Sequence, residues 1–170
     1  MSNKKFELVA DSAIEVFGIK LFRIRAKIAF GSVSKGELGG YVQSEKNLDA
    51  AGNAWVSGDA QVYGNAQVSG DAQVSGDARV YGNASIFWAS RVGSEQGTLT
   101  VCRAKAGLWV SRGCFDGSDT KFLAAVDAQH GKDSKIGREY HLLIEVARSR
   151  IDTSTTIPEA AQVEPAKDAA

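Results

Sequence analysis

Cys114 is the side chain in this sequence best suited to act as a nucleophile, since carboxylates and a histidine follow it. Asp116 and Asp119 come next in the chain, and His130 lies at the predicted end of the following helix. A cysteine attacks as its thiolate, which a histidine in contact can stabilise. The spacing leaves that contact open, so a reactive pair of Cys114 and His130 is one interpretation. The interpretation we prefer is a small buried thiol and a histidine favoured by the helix dipole.

Other motifs of catalysis are missing from the sequence. There is no Gly-rich phosphate loop, no cluster with metal-ligand spacing and no Ser-His-Asp order. Cys102 and Cys114 are too few for a disulfide framework and lack the paired spacing of a zinc site. Around the predicted turn Cys102 would face Val110, which places the two cysteine α-carbons about 13 Å apart, beyond disulfide range. We therefore predict two free thiols, no metal, no cofactor and no catalytic residue.

The charge balance bears on the partners of the protein. The chain has 20 lysines and arginines against 20 aspartates and glutamates, which argues against nucleic acid or an anionic membrane as a charge-driven partner. The opening MSNKKFELVADS has no apolar run of signal-peptide length, and no later segment approaches the roughly 20 apolar residues of a membrane span. We expect a cytoplasmic protein.

A six-residue unit recurs from residue 53, as NAWVSG, DAQVYG, NAQVSG, DAQVSG, DARVYG and NASIFW. Each unit has an alanine and, two residues later, an aliphatic side chain. The pairs are Ala54 and Val56, Ala60 and Val62, Ala66 and Val68, Ala72 and Val74, Ala78 and Val80, and Ala84 and Ile86. Alternate residues of a strand share a face, so all of these side chains would point to one interior. The Gly-Asp and Gly-Asn steps suit tight corners. Three strands and three corners would close one round in 18 residues, which predicts a triangular β-solenoid.

Residues eighteen apart would stack on the outer walls of such a coil. One wall would carry Tyr63 and Tyr81 beside Gln61 and Arg79, a combination of rigid aromatics and arginine that is enriched in protein interfaces. We predict an interaction surface made of Trp55, Gln61, Tyr63, Arg79, Tyr81 and Phe87. The alternative is that tyrosine is simply a suitable residue for an exposed strand.

The flanking segments predict covers for the open ends of the coil. Strands at 13–16 and 19–25 predict a hairpin about Phe17-Gly18, with a basic stripe on its solvent face at Lys20, Arg23, Arg25 and Lys27. Strands at 98–103 and 108–113 precede two helices, of which the first begins after Ser118 or Asp119 and ends at Gly131. The second helix has an apolar face at Ile136, Tyr140, Leu143, Ile144, Ala147 and Ile151.

These patterns predict four parts. They are an N-terminal β cap at 1–36, the hexapeptide-repeat solenoid at 37–95, a small α/β domain at 96–151 and a flexible tail at 152–170. The repeat register extends weakly back to Leu38 and Val42 and forward to Ser90 and Val92, and it ends after Gly93.

The A-x-V-[SY]-G-[DN] units resemble the hexapeptide repeats of left-handed β-helix proteins, best known from acyltransferases. They are even more similar to short repeat proteins of phages and prophages that carry the label polymer-forming. In those proteins a stretch like FELVADSAIEVFGIKLFRIRA precedes the repeats, and one like GTLTVCRAKAGLWVSRGCFDG with two helices follows them. The likeness covers residues 4 to about 151. It implies a mainly β fold, a left-handed β-helix with an N-terminal hairpin cap and a C-terminal hairpin plus two α-helices.

The resemblance implies a non-enzymatic phage or prophage accessory protein that acts by binding in the cytoplasm of the host cell. Left-handed β-helix proteins commonly pack wall to wall, so a homo-oligomer, trimer or dimer, is expected, with a host protein as the second kind of partner. The alternatives are an inhibitor of a host anti-phage defence system, anti-CRISPR-like or a sponge for a signal molecule, and a hexapeptide acyltransferase. Acyltransferases of this kind use a coil histidine as general base, and the first histidine here is His130, beyond the repeat.

Overall fold

The computed structural model describes residues 4–82 and 85–154. The strands in chain order are β1 (Phe6–Val16), β2 (Ile19–Ala26), β3 (Leu38–Val42), β4 (Trp55–Val56), β5 (Gln61–Tyr63), β6 (Gln73–Val74), β7 (Arg79–Tyr81), β8 (Ile86–Val92), β9 (Gly97–Arg103), β10 (Leu108–Arg112) and β11 (Phe115–Ser118). The helices are α1 (Asp119–His130) and α2 (Lys135–Arg150). Within the described residues, neither helix combines the length and the apolar character that crossing a membrane requires.

The N-terminal hairpin and the repeat share one five-stranded sheet in the order β1-β2-β3-β5-β7. β1 and β2 are antiparallel about a turn in which Phe17 and Gly18 both have positive φ, 53° and 73°. β2 pairs antiparallel with β3, whereas β3, β5 and β7 are parallel to one another. The expected hairpin is present: it joins the sheet next to β3, and its Phe6, Ile24 and Ala26 side chains are buried in the same core as the repeat valines.

The repeat strands stack at the expected spacing of eighteen residues. Val62 is in register with Val80 in one sheet, and Val56 with Val74 in the two-stranded sheet of β4 and β6. The repeat alanines and valines are buried together, as predicted, at Ala54, Val56, Ala60, Val62, Ala66, Val68, Ala72, Val74, Ala78 and Val80. Ala84 lies outside the described residues. A narrow interior of this kind accepts only small side chains at close packing density.

The predicted left-handed β-helix solenoid is wrong. The described strands form three separate sheets of five, four and two strands, and none of these sheets closes on itself. The repeat strands β4 to β7 are only two or three residues long. Of the three strand positions expected in each round, the one at Leu48 and Val68 has only a single bridge in place of a strand pair. The last repeat unit also leaves the stack, because β8 pairs antiparallel with β9. Ser90 and Val92 therefore do not extend the repeat register.

The C-terminal part is a four-stranded antiparallel sheet, in the order β11-β10-β9-β8, with both helices on one face. Alternate side chains of the strands turn to the helices and form a second apolar core with Phe122, Tyr140 and Ile144. The Ser118 hydroxyl accepts the Lys121 N–H at the start of α1, which ends at Gly131 as predicted.

The other face of the four-stranded sheet meets the repeat. The Gln73 N–H donates to Thr100 Oγ1 at 3.0 Å, so a threonine hydroxyl completes the backbone pairing of β6. Trp109 stands opposite Cys102 in the register of β9 and β10, and Val110 faces Val101. The expectation that Cys102 faces Val110 was therefore wrong by one residue.

A carboxylate joins the two sheets at this contact. Asp116 Oδ1 accepts hydrogen bonds from Trp109 Nε1 at 2.6 Å, from Ser75 Oγ at 2.7 Å and from Ser111 Oγ at 3.1 Å. The Trp109 indole lies directly over Gly76, at a corner of the repeat with no room for a Cβ atom. Charge-assisted hydrogen bonds are stronger than neutral ones, so Asp116 stabilises the attachment of the C-terminal sheet.

A buried lysine covers the other end of the repeat. Lys5 Nζ donates to the carbonyl oxygens of Asp49, Ala51 and Ala54, the last at 2.8 Å, and lies 4.5 Å from the centre of the Phe30 ring. Burial lowers the pKa of Lys5, and Asp49 partly opposes that change. These contacts satisfy carbonyl groups that would otherwise lack donors at the end of the stack.

Candidate functional site: an arginine and tyrosine face

The five-stranded sheet carries a row of arginine, tyrosine and glutamine on the face turned away from the core. Arg23 is in register with Tyr41, Tyr41 with Gln61, and Gln61 with Arg79, across four neighbouring strands. Two residues further along the strands, and on the same face, Tyr63 stands opposite Tyr81. We call this surface the arginine–tyrosine face, made of Arg23, Tyr41, Gln61, Tyr63, Arg79, Tyr81 and the neighbouring Arg103.

The two repeat tyrosines differ sharply in exposure. Their rings are 5.1 Å apart and tilted by 42°, but Tyr63 is 3% exposed whereas Tyr81 is 60% exposed. The end of the hairpin buries Tyr63, since Val16 and Leu21 pack against it. This burial raises the pKa of Tyr63; Tyr81 adds to the rise, and the nearby positive charges of Arg79 and Arg103 oppose it.

The arginines of the face have no carboxylate partners in the described part of the chain. Arg23 Nε donates to the Gly39 carbonyl, and its guanidinium carbon lies 5.5 Å from the centre of the Tyr41 ring. Arg79 Nη1 donates only to backbone carbonyls, those of residues 59 and 78, at 3.2 Å. Within residues 4–82 and 85–154, none of Arg23, Arg79 and Arg103 forms an ion pair. Their positive charge is therefore available to an anionic ligand.

Gln61 lies in the same row and is 8% exposed. Its Oε1 atom is buried and accepts no hydrogen bond from the described residues. Buried amide oxygens nearly always accept a hydrogen bond. The Gln61 oxygen, next to Arg79 in the register, is therefore an exception among the described residues.

The structure brings together only some of the predicted surface residues. Gln61, Tyr63, Arg79 and Tyr81 share the face, but Gln61 and Tyr63 are buried and Arg79 is half-buried, so Tyr81 alone of these four is exposed. Trp55 is buried in the two-stranded sheet, edge-on to Phe30 at 5.5 Å, and its Nε1 donates to none of the described residues. Phe87 lies elsewhere, on β8, where it packs against the C-terminal core.

Three members of the face were missed as site residues, namely Arg23, Tyr41 and Arg103. Arg23 belongs to the predicted basic stripe of the hairpin, and the alternation of that stripe is the available signal. Tyr41 and Arg103 come from strands whose pairing to the repeat the hexapeptide period does not encode.

The structure does not assemble the Cys114 and His130 pair by any hydrogen bond among the described residues. Cys114 is exposed at the turn between β10 and β11, contrary to the expected buried thiol, and His130 ends α1. Cys102 is the buried cysteine, and its burial raises the pKa of the thiol strongly. A histidine and carboxylate do meet elsewhere, with His141 Nε2 2.7 Å from Asp127 Oδ1 between the helices.

Two further features of the described residues are relevant to ligand binding. A cleft of about 320 Å³ is lined by Gly107, Leu108, Asp119, Arg148, Ile151 and Thr153, and its arginine is already bound to its aspartate, with Arg148 Nη2 2.7 Å from Asp119 Oδ2. No group of three or more His, Cys, Asp or Glu side chains in the described part of the chain has a metal-binding arrangement. The unpaired arginines of the sheet face are therefore the stronger candidate for a ligand.

The chain was compared with protein-family models and with curated proteins, and neither comparison gave a match.

Proposed function

We propose that this protein is a non-enzymatic accessory protein that acts by binding, and that the arginine–tyrosine face is its binding surface. The resemblance of the hexapeptide units to those of phage and prophage proteins supports a role in the cytoplasm of a host cell. Interference with a host defence system, through a protein or through a signal molecule, is the form of action that such a surface would serve.

The observation that carries this proposal is a set of three arginines that have no carboxylate partner among the described residues, two of which, Arg79 and Arg103, stand across from each other near the exposed Tyr81. Arg79 and Arg103 are like charges opposed across one bridge, and such pairs destabilise a sheet, so folding alone does not account for them. Arginine and tyrosine are also the residues most enriched at the centres of binding surfaces. An anionic partner would compensate the charge.

Recovery of bound material from host cells tests the proposal. The tagged chain is compared with Arg79→Glu/Arg103→Glu, and with Arg138→Glu/Arg150→Glu as a control with the same change of charge on exposed positions of α2. Protein, nucleic acid and small molecules that remain bound are identified by mass spectrometry and sequencing. We expect a partner that the wild type and the control retain and the face variant loses. Equal recovery from all three chains would contradict the proposal.

Self-association is a second candidate, because β7 is the last strand of the five-stranded sheet and carries the exposed Tyr81, while the bridge between Ala78 and Ala104 covers only the start of this edge. Edge strands readily pair with a second chain. Tyr63 belongs to the hydrophobic interior of the hairpin contact, so a change there would damage folding instead of assembly. We expect Tyr81→Glu to give a folded monomer by light scattering if this edge drives assembly. An unchanged molecular mass would exclude it.

A further inference from the structure

We propose that Arg79, Tyr81 and Arg103 form a site for a nucleotide, in which the base stacks on Tyr81 and the phosphates lie between the two arginines. This inference rests on the proposed function, since it names the class of ligand that the arginine–tyrosine face takes. The site lies where the edge of the repeat meets the C-terminal sheet.

The two arginines are held opposite each other. Ala78 bridges antiparallel to Ala104, so the next residue of one strand, Arg79, stands across from the preceding residue of the other, Arg103. Ala78 and Ala104 are buried, and their neighbours Arg79 and Arg103 are only half-buried. Opposed like charges destabilise a strand pair. A phosphate between them would remove the repulsion and accept hydrogen bonds from both guanidinium groups.

Arg79 is prepared for such a contact. Its Nη1 is fixed by the carbonyl oxygens of Asp59 and Ala78, while Nε and Nη2 have no hydrogen-bond partner among the described residues. A guanidinium anchored on one edge presents its remaining donors in a fixed plane, which suits bidentate recognition of phosphate oxygens.

Tyr81 provides the stacking surface. One side of its ring is supported by Tyr63, 5.1 Å away, and by the Gly64 corner, where a Cβ atom would come within 2.9 Å of the ring. Tyr81 as a residue is 60% exposed, so the side of the ring away from Tyr63 is open to solvent. A supported aromatic ring with an open face is the platform on which nucleobases stack.

Gln61 lies beside the site and supports it from below. In the sheet register it stands next to Arg79, and its Oε1 atom is buried, without a donor among the described residues and closed to a base on the open face of Tyr81. The ligand contacts are therefore those of Arg79, Tyr81 and Arg103. Because one tyrosine and two arginines span only a few ångströms of strand and the chain has no net charge, the site fits a single nucleotide better than a long nucleic-acid strand.

Calorimetric titration of the full chain with ADP, GDP, CDP and UDP tests the proposal, with pyrophosphate as a probe of charge alone. We expect at least one nucleoside diphosphate to bind, and Tyr81→Ala and Arg103→Ala each to weaken it by about tenfold or more. Tyr81→Phe keeps the ring and should retain the affinity. Arg138→Ala, an exposed arginine on α2, is the control and should also leave the affinity unchanged.

Each other result rejects the nucleotide site. The proposal is overturned if none of the four diphosphates binds, or if pyrophosphate binds as tightly as the best diphosphate. It is also overturned if the Arg103→Ala variant binds the diphosphate as tightly as the wild type, or if a short oligonucleotide binds far more tightly than any diphosphate. These failures are distinct from failure of the proposed function. If the host-cell recovery still yields a partner that the Arg79→Glu/Arg103→Glu chain loses, the face binds something other than a nucleotide.

Discussion

Alanine at Gly76 probes how firmly the C-terminal sheet is attached to the repeat. Gly76 and Gly58 occupy the same corner in successive rounds, with φ of 59° and 62°. A Cβ atom at Gly76 would lie 2.5–2.7 Å from three atoms of the Trp109 indole, whereas one at Gly58 meets nothing closer than a backbone nitrogen at 3.6 Å. Gly58→Ala is therefore a control with the same backbone conformation and without the indole.

The difference between the two variants can be estimated. An alanine in the left-handed region destabilises the fold by about 1–2 kcal/mol. The more restricted unfolded chain offsets about 0.4–1 kcal/mol of this, so Gly58→Ala should lower the free energy of unfolding by about 1 kcal/mol. Gly76→Ala must also displace the indole, which adds about 1–3 kcal/mol of overpacking. Displacement takes Trp109 Nε1 away from Asp116 and removes about 1 kcal/mol more. The expected total for Gly76→Ala is about 3–5 kcal/mol.

Urea denaturation followed by far-UV circular dichroism measures both free energies. Each glycine variant is also made in a Trp109→Ala background, where the indole is absent. The excess loss at Gly76 should disappear there, because the coupling of two contacting residues is what a double-mutant cycle isolates. Equal losses for Gly58→Ala and Gly76→Ala in the otherwise unchanged chain would refute the described contact between the sheet and the repeat.

Three other perturbations test separate parts of the structure. The pKa of Tyr63 is raised above its ordinary value of 10.0, so above pH 10.0 the unfolded chain loses the phenolic proton before the folded chain does. The free energy of unfolding should therefore fall with pH above 10.0 in the wild type, and less steeply in Tyr63→Phe. Parallel curves for the two chains would contradict this. Lys5→Met removes the lysine donor of three carbonyl groups and should lower the free energy of unfolding, measured in urea, by about 2–4 kcal/mol. An unchanged midpoint of urea unfolding would show that the lysine does not cover the repeat end. Val62→Ala opens a cavity in the repeat interior and should lower the free energy of unfolding by about 2 kcal/mol. Val146→Ala, at an exposed position, is the control and should lower it by less than about 0.5 kcal/mol. Similar losses for the two variants would place Val62 outside the core.

The hexapeptide period predicted the buried side chains correctly but not the fold that they belong to. Alternation within each unit is a local property, so the burial of Ala60 and Val62 followed from it directly. The position at which the repeat ends did not follow from the alternation. Ile86 matches the period, yet its strand pairs with β9, and Ile86 stands opposite Cys102. A strand keeps the same alternation whether its neighbour is parallel or antiparallel, so the pattern is silent on which partner is chosen.

The candidate site shows the same division. The sequence correctly placed Tyr63 opposite Tyr81 and Gln61 opposite Arg79, since both pairs are eighteen residues apart. It did not show that the hairpin buries Tyr63, because that contact is made by Val16 and Leu21 of the hairpin and does not follow from any spacing within the repeat. The helix ends were predictable, by contrast, since Ser118 caps α1 with its own hydroxyl.

Amide hydrogen exchange tests most directly whether the arginine–tyrosine face is the binding surface. It is measured on the chain as recovered from host cells, and again after the bound material has been removed. We expect slower exchange in the loaded chain at the backbone amides of Arg79, Tyr81 and Arg103, with little change along α2. Protection confined to α2, or identical exchange in both samples, would contradict it.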